Sequence, residues 1–322
     1  MTLRFGAGLR LTLCALVWML PSWPVWGTDF DPGKAGFTVR VGGEMCAYRV
    51  LAFFVLPGER LELSVDKPGM ATFRAVADEP ASLTAKAPGR WLWQAPAAVG
   101  LYPVRIERHD GAHMTLNLFV MAPLSEARDG RLRGYRLGHY PGRPLRDLPI
   151  YLPPRGFVVV TPDNENTQVS PHFTLKQFLC KQAGDYPKLV ALRARLLLKL
   201  EHLLQVVNGK GLRCDTFAVL SGFRTPAYNA AIGNVRYSRH QWGGAADIFI
   251  DENPRDGVMD DLDGNGVVDG RDADWLFDLI EGQVGRQEYE PFIGGLGKYG
   301  TTTTHGPFVH VDARGFRARW GR

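Results

Sequence analysis

Two short segments carry the side chains best suited to holding a metal. In Ser238-Arg239-His240-Gln241-Trp242-Gly243-Gly244-Ala245-Ala246-Asp247, six residues separate a histidine from an aspartate, and two of them are adjacent glycines. The glycines let the backbone turn tightly enough for a loop histidine and a strand aspartate to converge. In Phe308-Val309-His310-Val311-Asp312, read as a strand, His310 and Asp312 share one face and the valines the other. Imidazole nitrogen and carboxylate oxygen are both zinc ligands, and a catalytic zinc takes three protein ligands and keeps a position open for water. His240, Asp247 and His310 meet that requirement, with Asp312 as an acid beside the last of them.

Between these segments lies a second set of oxygen donors. Asp261 to Asp272 fits a twelve-residue calcium loop. Asp261, Asp263, Asn265, Asp269 and Asp272 stand at the side-chain ligand positions, and Val267 stands at the main-chain one. Gly266 marks the sharp turn, Val268 fills the apolar position, and Asp274 to Ile280 continues as an exiting helix. The final acid is Asp rather than Glu and the entering helix is poor, so the loop resembles dockerin-type single loops more than paired EF-hands. It implies a structural Ca2+ that clamps an insertion over 252–285.

The elements that must position these groups follow from periodicity. A Thr174/Gln177 capping box starts one helix. A second begins at Pro187, with Leu189, Leu192, Leu196, Leu200, Leu203 and Val207 at helical spacing and Asn208-Gly209 as the stop. His202, inside that helix, reads as an ordinary packed or surface histidine. Strand-like pieces come next at Phe217–Leu220, Ala245–Ile250 and Phe308–Ala313, so 169–322 reads as an α+β domain. From 28 to 122 the chain alternates instead, at Leu61, Leu63, Val65, at Tyr102, Val104, Ile106 and at Met114, Leu116, Leu118, Val120. Turn signals between these runs give an antiparallel, immunoglobulin-like β-sandwich. Residues 123–168, rich in Arg, Gly and Pro, form a connector with a small hairpin around Tyr151 to Val160.

The metal segments, in this order, resemble the zinc peptidases related to D-Ala-D-Ala carboxypeptidases and murein endopeptidases. Ser221-Gly222-Phe223-Arg224-Thr225-Pro226, Ser170-Pro171-His172-Phe173 and Gly294-Gly295-Leu296-Gly297-Lys298-Tyr299 are further matches. The resemblance covers about 168–322 and implies zinc ligands His240, Asp247 and His310. It also implies a substrate site with Arg224, Ser238 and Tyr299, where the arginine fork suits a carbonyl or carboxylate oxygen. The carboxypeptidases carry a glutamate base three residues before the last histidine; Pro307 stands there and cannot act as one. That departure favours the endopeptidase branch and leaves Asp312 first and His305 second as candidate bases, with a role orienting a ligand histidine as the competing reading of Asp312. The implied activity is hydrolysis of a peptide bond in peptidoglycan stem or cross-link peptides. The alternatives are a D-Ala-D-Ala carboxypeptidase and a non-catalytic peptidoglycan-binding protein of the same fold.

Compartment and charge agree with that substrate. Arg4 and Arg10 precede an apolar run from Leu11 to Leu20, prolines break it, and Val25-Trp26-Gly27 offers small residues for cleavage, so 1–27 reads as a secretory signal. The expected destination is the periplasm, with full secretion as the alternative. Cleavage removes two of 38 basic residues and none of 33 acidic ones, leaving a mild surplus that does not argue for nucleic acid. No later stretch is apolar enough to span a membrane. Of Cys46, Cys180 and Cys214, the last two are expected to pair and Cys46 to stay free and buried.

Overall fold

The computed structural model describes Thr2 and residues 30–321, so the signal segment, apart from Thr2, lies outside the described residues. No helix among those residues is long and apolar enough to cross a membrane. Strands dominate, and helices are few.

The alternating region forms two sheets. One runs, in spatial order, Glu44–Tyr48, Lys34–Val41, Arg60–Val65, Arg90–Gln94 and Ser82–Ala87; the other runs Val50–Val55, His113–Val120, Gly100–Arg108 and Phe73–Ala77. Leu63, Val104, Ile106, Met114, Leu116, Leu118 and Val120 are all buried, as their period-two spacing requires, and Trp93 is fully enclosed among them. One pairing differs from the antiparallel expectation: Val50–Val55 runs parallel to His113–Val120.

The connector departs from expectation as well. Tyr151 ends a short 3₁₀ turn, and Gly156–Val160 is a strand pairing with Ala122–Pro123 on one side and Lys188–Val190 on the other. The expected helix start at Pro187 is therefore displaced, because Leu189 and Val190 are taken into this sheet. The helix α1 begins at Ala194 and runs to Asn208, where Gly209 caps it by donating to Gln205 O. Its buried Leu196, Leu200, Leu203 and Val207 keep the helical spacing, each contributing on the order of 1.5–3 kcal/mol by burial. The Thr174/Gln177 box is formed, but it caps a 3₁₀ turn at Leu175–Phe178.

Two charged residues lie on the buried side of α1. Lys199 Nζ donates to Asp312 O at 2.7 Å, and Glu201 accepts from the His172 amide and faces His172 Nδ1. His172 Nε2 donates in turn to Asp31 O at 3.0 Å, and Asn117 Nδ2 donates to Gln168 O at 2.7 Å. The bonds of Asp31 and Asn117 join the β-region to the rest of the chain, and buried side chains of both belong to one continuous apolar cluster.

The expected Cys180–Cys214 disulfide is not formed; both thiols are free and buried, as is Cys46. Cys214 Sγ turns instead to Thr216 O at 3.4 Å. Burial pushes the Cys46 thiol up to about 12 and the Cys214 thiol well above its ordinary range, so both are unreactive.

The sheet that carries the site has the order Ala218–Ser221, Ala245–Phe249, Phe308–Asp312, Gly295–Tyr299 and Ala318–Gly321. The helix α2, Pro226–Ala231, comes after the first of these strands, and α3, Gly270–Glu281, leaves the acidic loop.

Candidate metal centre

Asp247 and His310 are direct cross-strand partners on neighbouring antiparallel strands, so the sheet itself brings them together. His240 arrives on a 3₁₀ turn, Arg239–Trp242, that ends at Gly243 in the left-handed region. A Cβ at Gly243 would stand 2.2 Å from Ala191 O, so glycine is needed there for both conformation and space. Gly222 is equally tight, with a Cβ position 2.6 Å from Phe178 Cα. Its carbonyl accepts from His240 Nδ1 at 2.7 Å.

That bond leaves the lone pair of His240 on Nε2, which points inward. His310 is fixed in the opposite sense: its Nε2 donates to Asp312 Oδ2 at 3.2 Å, so Nδ1 faces the centre. Three ligand atoms then converge. His240 Nε2 lies 3.1 Å from Asp247 Oδ1 and 3.1 Å from His310 Nδ1, and His310 Nδ1 lies 2.9 Å from Asp247 Oδ1. Atoms held 2.0–2.1 Å from one tetrahedral zinc are about 3.3 Å apart, so the donor set and its spacing fit that ion. Converging lone pairs need a positive charge at the centre, which is either a metal ion or a proton on His310.

Electrostatics sharpen the point. Burial raises the Asp247 carboxyl, but the two histidines outweigh it and hold the acid well below its usual range. Burial lowers His240, and Asp247 only partly offsets that. Burial also works against a charged His310, yet its hydrogen bonds to Asp247 and Asp312 win and raise it.

The remaining site residues support this trio. Arg224 pairs with Asp247 Oδ2, its Nε donates to Ser221 Oγ at 2.7 Å, and its edge lines the cleft beside the ligands. It therefore orients the carboxylate that faces the two histidines. Asp312 is buried and saturated: it accepts from the Gly295 amide at 2.9 Å, from the Arg314 amide at 3.1 Å and from the Arg314 guanidinium. Its carboxylate sits on the outer edge of the His310 ring, away from the ligand nitrogen. His305 lines the cleft, with Nδ1 donating to Gly306 O at 2.8 Å. Ser238 and Tyr299 line the same cleft of about 810 Å3; Tyr299 stacks on Phe308 at 4.6 Å and accepts from Trp320 Nε1 at 2.7 Å.

Sequence reasoning missed Arg314 and Trp320. The same-face rule that linked His310 to Asp312 would have reached Arg314 had it been carried past the strand end. The glycines of Gly294-Gly295-Leu296-Gly297 also have a physical cause: a Cβ at Gly295 would be 2.2 Å from Asp312 Oδ2, and one at Gly297 would be 2.4 Å from Trp320 Nε1.

In the acidic loop, ligand atoms of Asp261, Asp263 and Asp272 lie within 4.8 Å of one another. Asp261 accepts from the Gly264 and Gly266 amides, and Asn265 Oδ1 accepts from the Val267 amide at 2.9 Å. Asp269 differs, being turned to cap α3 and to pair with Arg271 at 3.2 Å. Lys298 Nζ reaches Asp274 Oδ1 at 2.7 Å, tying α3 to the strand beside His310.

No family model and no curated protein matches this chain. Among solved structures, it is similar to a nucleoside hydrolase-related hypothetical protein from Saccharophagus degradans that is associated with carbohydrate metabolism, at 11% identity and a TM-score of 0.19. That likeness covers 26% of this chain and 24% of the other, so the chain spans about a quarter of that protein's length. It is also similar to the Lin-41 filamin domain, at 12% identity and a TM-score of 0.16, over 27% of this chain and 93% of that one. Neither likeness bears on fold or chemistry.

Proposed function

We propose that this chain is an exported zinc-dependent peptidase that cuts a peptide bond in peptidoglycan stem or cross-link peptides, with the endopeptidase reaction favoured. The observation that carries the proposal is the convergence of His240 Nε2, Asp247 Oδ1 and His310 Nδ1, each oriented by an outer hydrogen bond, at the wall of an open cleft. Zinc held there supplies Lewis acidity towards a carbonyl oxygen and acidifies water. The protein's own groups then have separable tasks. Asp312 holds the His310 ring in its ligand tautomer, as carboxylates behind zinc imidazoles do. Arg224 fixes Asp247 and offers the cleft edge of its guanidinium to a substrate oxygen. His305, held in the cleft wall by its Nδ1 contact with Gly306 O, is the remaining candidate to take a proton from attacking water. Tyr299 and Ser238 line the space a peptide would fill.

The loop from Asp261 to Asp272 is assigned a structural Ca2+, since its oxygen donors match that ion and α3 braces the strand next to His310. Nucleic acid has no place in this reading, and the periplasm is the expected compartment.

The test is release of soluble peptides from purified peptidoglycan with and without a zinc chelator. Chelator-sensitive release, restored by zinc and absent in His240→Ala, is expected. Equal release by that variant, or none under any metal condition, overturns the proposal.

A further inference from the structure

The connector as a whole carries seven arginines against five acids, but its hairpin is locally basic. From Arg128 to Arg136 four arginines stand against one acid, Asp129. Positive charge is therefore concentrated on this short stretch. All four arginines are exposed.

The fold sets several of them against one another. Arg131–Leu132 pairs with Tyr135–Arg136 so that Arg131 is directly opposite Arg136, and Arg128 bridges to Arg131. Like charges directly opposite in a strand pair are destabilising. Nearby acids do not relieve this: Glu126 is 3.9 Å from Arg133 and Asp147 is 2.7 Å from Arg143, while Arg128, Arg131 and Arg136 have no carboxylate partner among the described residues. Arg131, Arg136 and His139 line a groove of about 550 Å3, with one acid, Asp129, at its rim and α2 as its other wall. The groove is anchored: Ala227 N donates to Leu137 O at 2.9 Å, and a Cβ at Gly138 would stand 2.7 Å from Ala227 N. The wall helix α2 starts two residues after Arg224, so one short segment separates the groove from the metal cleft.

We propose that this groove is an anion-binding exosite that takes carboxylates of a wall strand while the bond to be cut lies in the metal cleft. The choice of a carboxylate rests on the peptidoglycan reading above; the anion site itself rests on the arginine geometry. A carboxylate between Arg131 and Arg136 converts a repulsive pair into a charge-assisted clamp that the planar guanidinium forks fit.

The test is co-sedimentation of the full chain, carrying His240→Ala to prevent turnover, with insoluble peptidoglycan at low and high salt. Arg136→Glu should lower the bound fraction at low salt about tenfold or more, the effect of losing a hydrogen bond to a charged group. Its thermal midpoint should stay equal or rise, because an acid then faces Arg131. Arg136→Lys should keep most of the binding, and Arg60→Glu, the same charge change on the exposed first residue of a β-sandwich strand outside this groove, should keep all of it. Amidating the peptidoglycan carboxylates should erase the difference between wild type and Arg136→Glu, while stripping phosphate polymers should not. Unchanged binding by Arg136→Glu, or equal loss in Arg60→Glu, overturns the exosite. So does a lowered midpoint in Arg136→Glu with weak binding by Arg136→Lys, which would make the arginine structural. Dependence on phosphate polymers overturns the carboxylate assignment. Because no hydrolysis is read, a failed peptidase proposal and a failed exosite give separate results.

Discussion

Replacing Asp312 by asparagine separates the two chemical roles open to that residue. Burial raises its carboxyl, but His310 and Arg314 outweigh burial and hold the group ionised well below the usual range. As a carboxylate it accepts from the Gly295 amide, the Arg314 amide and guanidinium, and His310 Nε2. An asparagine has one acceptor oxygen. Whichever way the amide is turned, its NH2 group meets donors on one side, and the largely buried Arg314 loses its counter-charge. An unmet buried donor costs about 1–3 kcal/mol and a broken buried ion pair about 3–5 kcal/mol. A loss near 3 kcal/mol of unfolding free energy is therefore expected. The His310 ring loses its brace, so zinc affinity should fall about 10- to 100-fold. Denaturant unfolding, chelator competition and turnover at saturating zinc measure these separately. With zinc saturating, turnover should recover to within about tenfold of wild type, whereas His305→Ala should bind zinc normally and lose about a hundredfold or more in rate. If Asp312→Asn keeps wild-type zinc affinity while its rate falls a hundredfold, Asp312 is the proton acceptor and not a brace for His310.

Other consequences are as direct. Zinc must displace the proton that Asp247 and Asp312 favour on His310, so below the raised pKa of that histidine affinity should weaken about tenfold per pH unit, with proton uptake or release read by calorimetry in two buffers. A pH-independent affinity between pH 5 and 8 would contradict this. Calcium should raise the thermal midpoint of the wild type, by about 2.7 kcal/mol of stability at a hundredfold excess over Kd, and Asp263→Ala should lose most of that gain. An undiminished response in the mutant places the ion elsewhere. Gly243→Ala must put a Cβ within 2.2 Å of Ala191 O in a left-handed turn, so it should cost about 3 kcal/mol and displace His240 from the trio; a normal melt with normal zinc uptake would contradict that geometry.

What was legible in the sequence comes from physics that is local. The period-two runs of the β-region and the His310/Asp312 face could be read because side chains on a strand alternate whatever the surroundings. The fixed offsets of the acidic loop do gather Asp261, Asp263 and Asp272, while Asp269 caps α3 instead. Pro187 to Val190 misled because its leucine and valine suit helix and strand alike, and only pairing with Gly156–Val160 decides between them. The disulfide failed for the same reason: pairing needs two positions to be near in space, and nothing local tells where Cys180 and Cys214 end. Asp312 was found beside His310, but a shared strand face does not reveal which ring nitrogen a carboxylate meets, so base and brace could not be told apart. The arginines of the connector were counted as composition, although their effect depends on the register that sets Arg131 against Arg136.

The continuous apolar cluster that joins the β-region to the rest has a practical meaning. A chain begun at residue 169 would present to water the apolar surface that Leu51, Phe53 and their neighbours now cover, and would strand Glu201 and His172 without the main-chain cap from Asp31. The amino-terminal half behaves here less as a tether than as the missing half of a hydrophobic interior. Recombination that swapped it for an unrelated sandwich would have to repair that seam first, so the two halves are expected to have been inherited, and to be produced in the laboratory, as a unit.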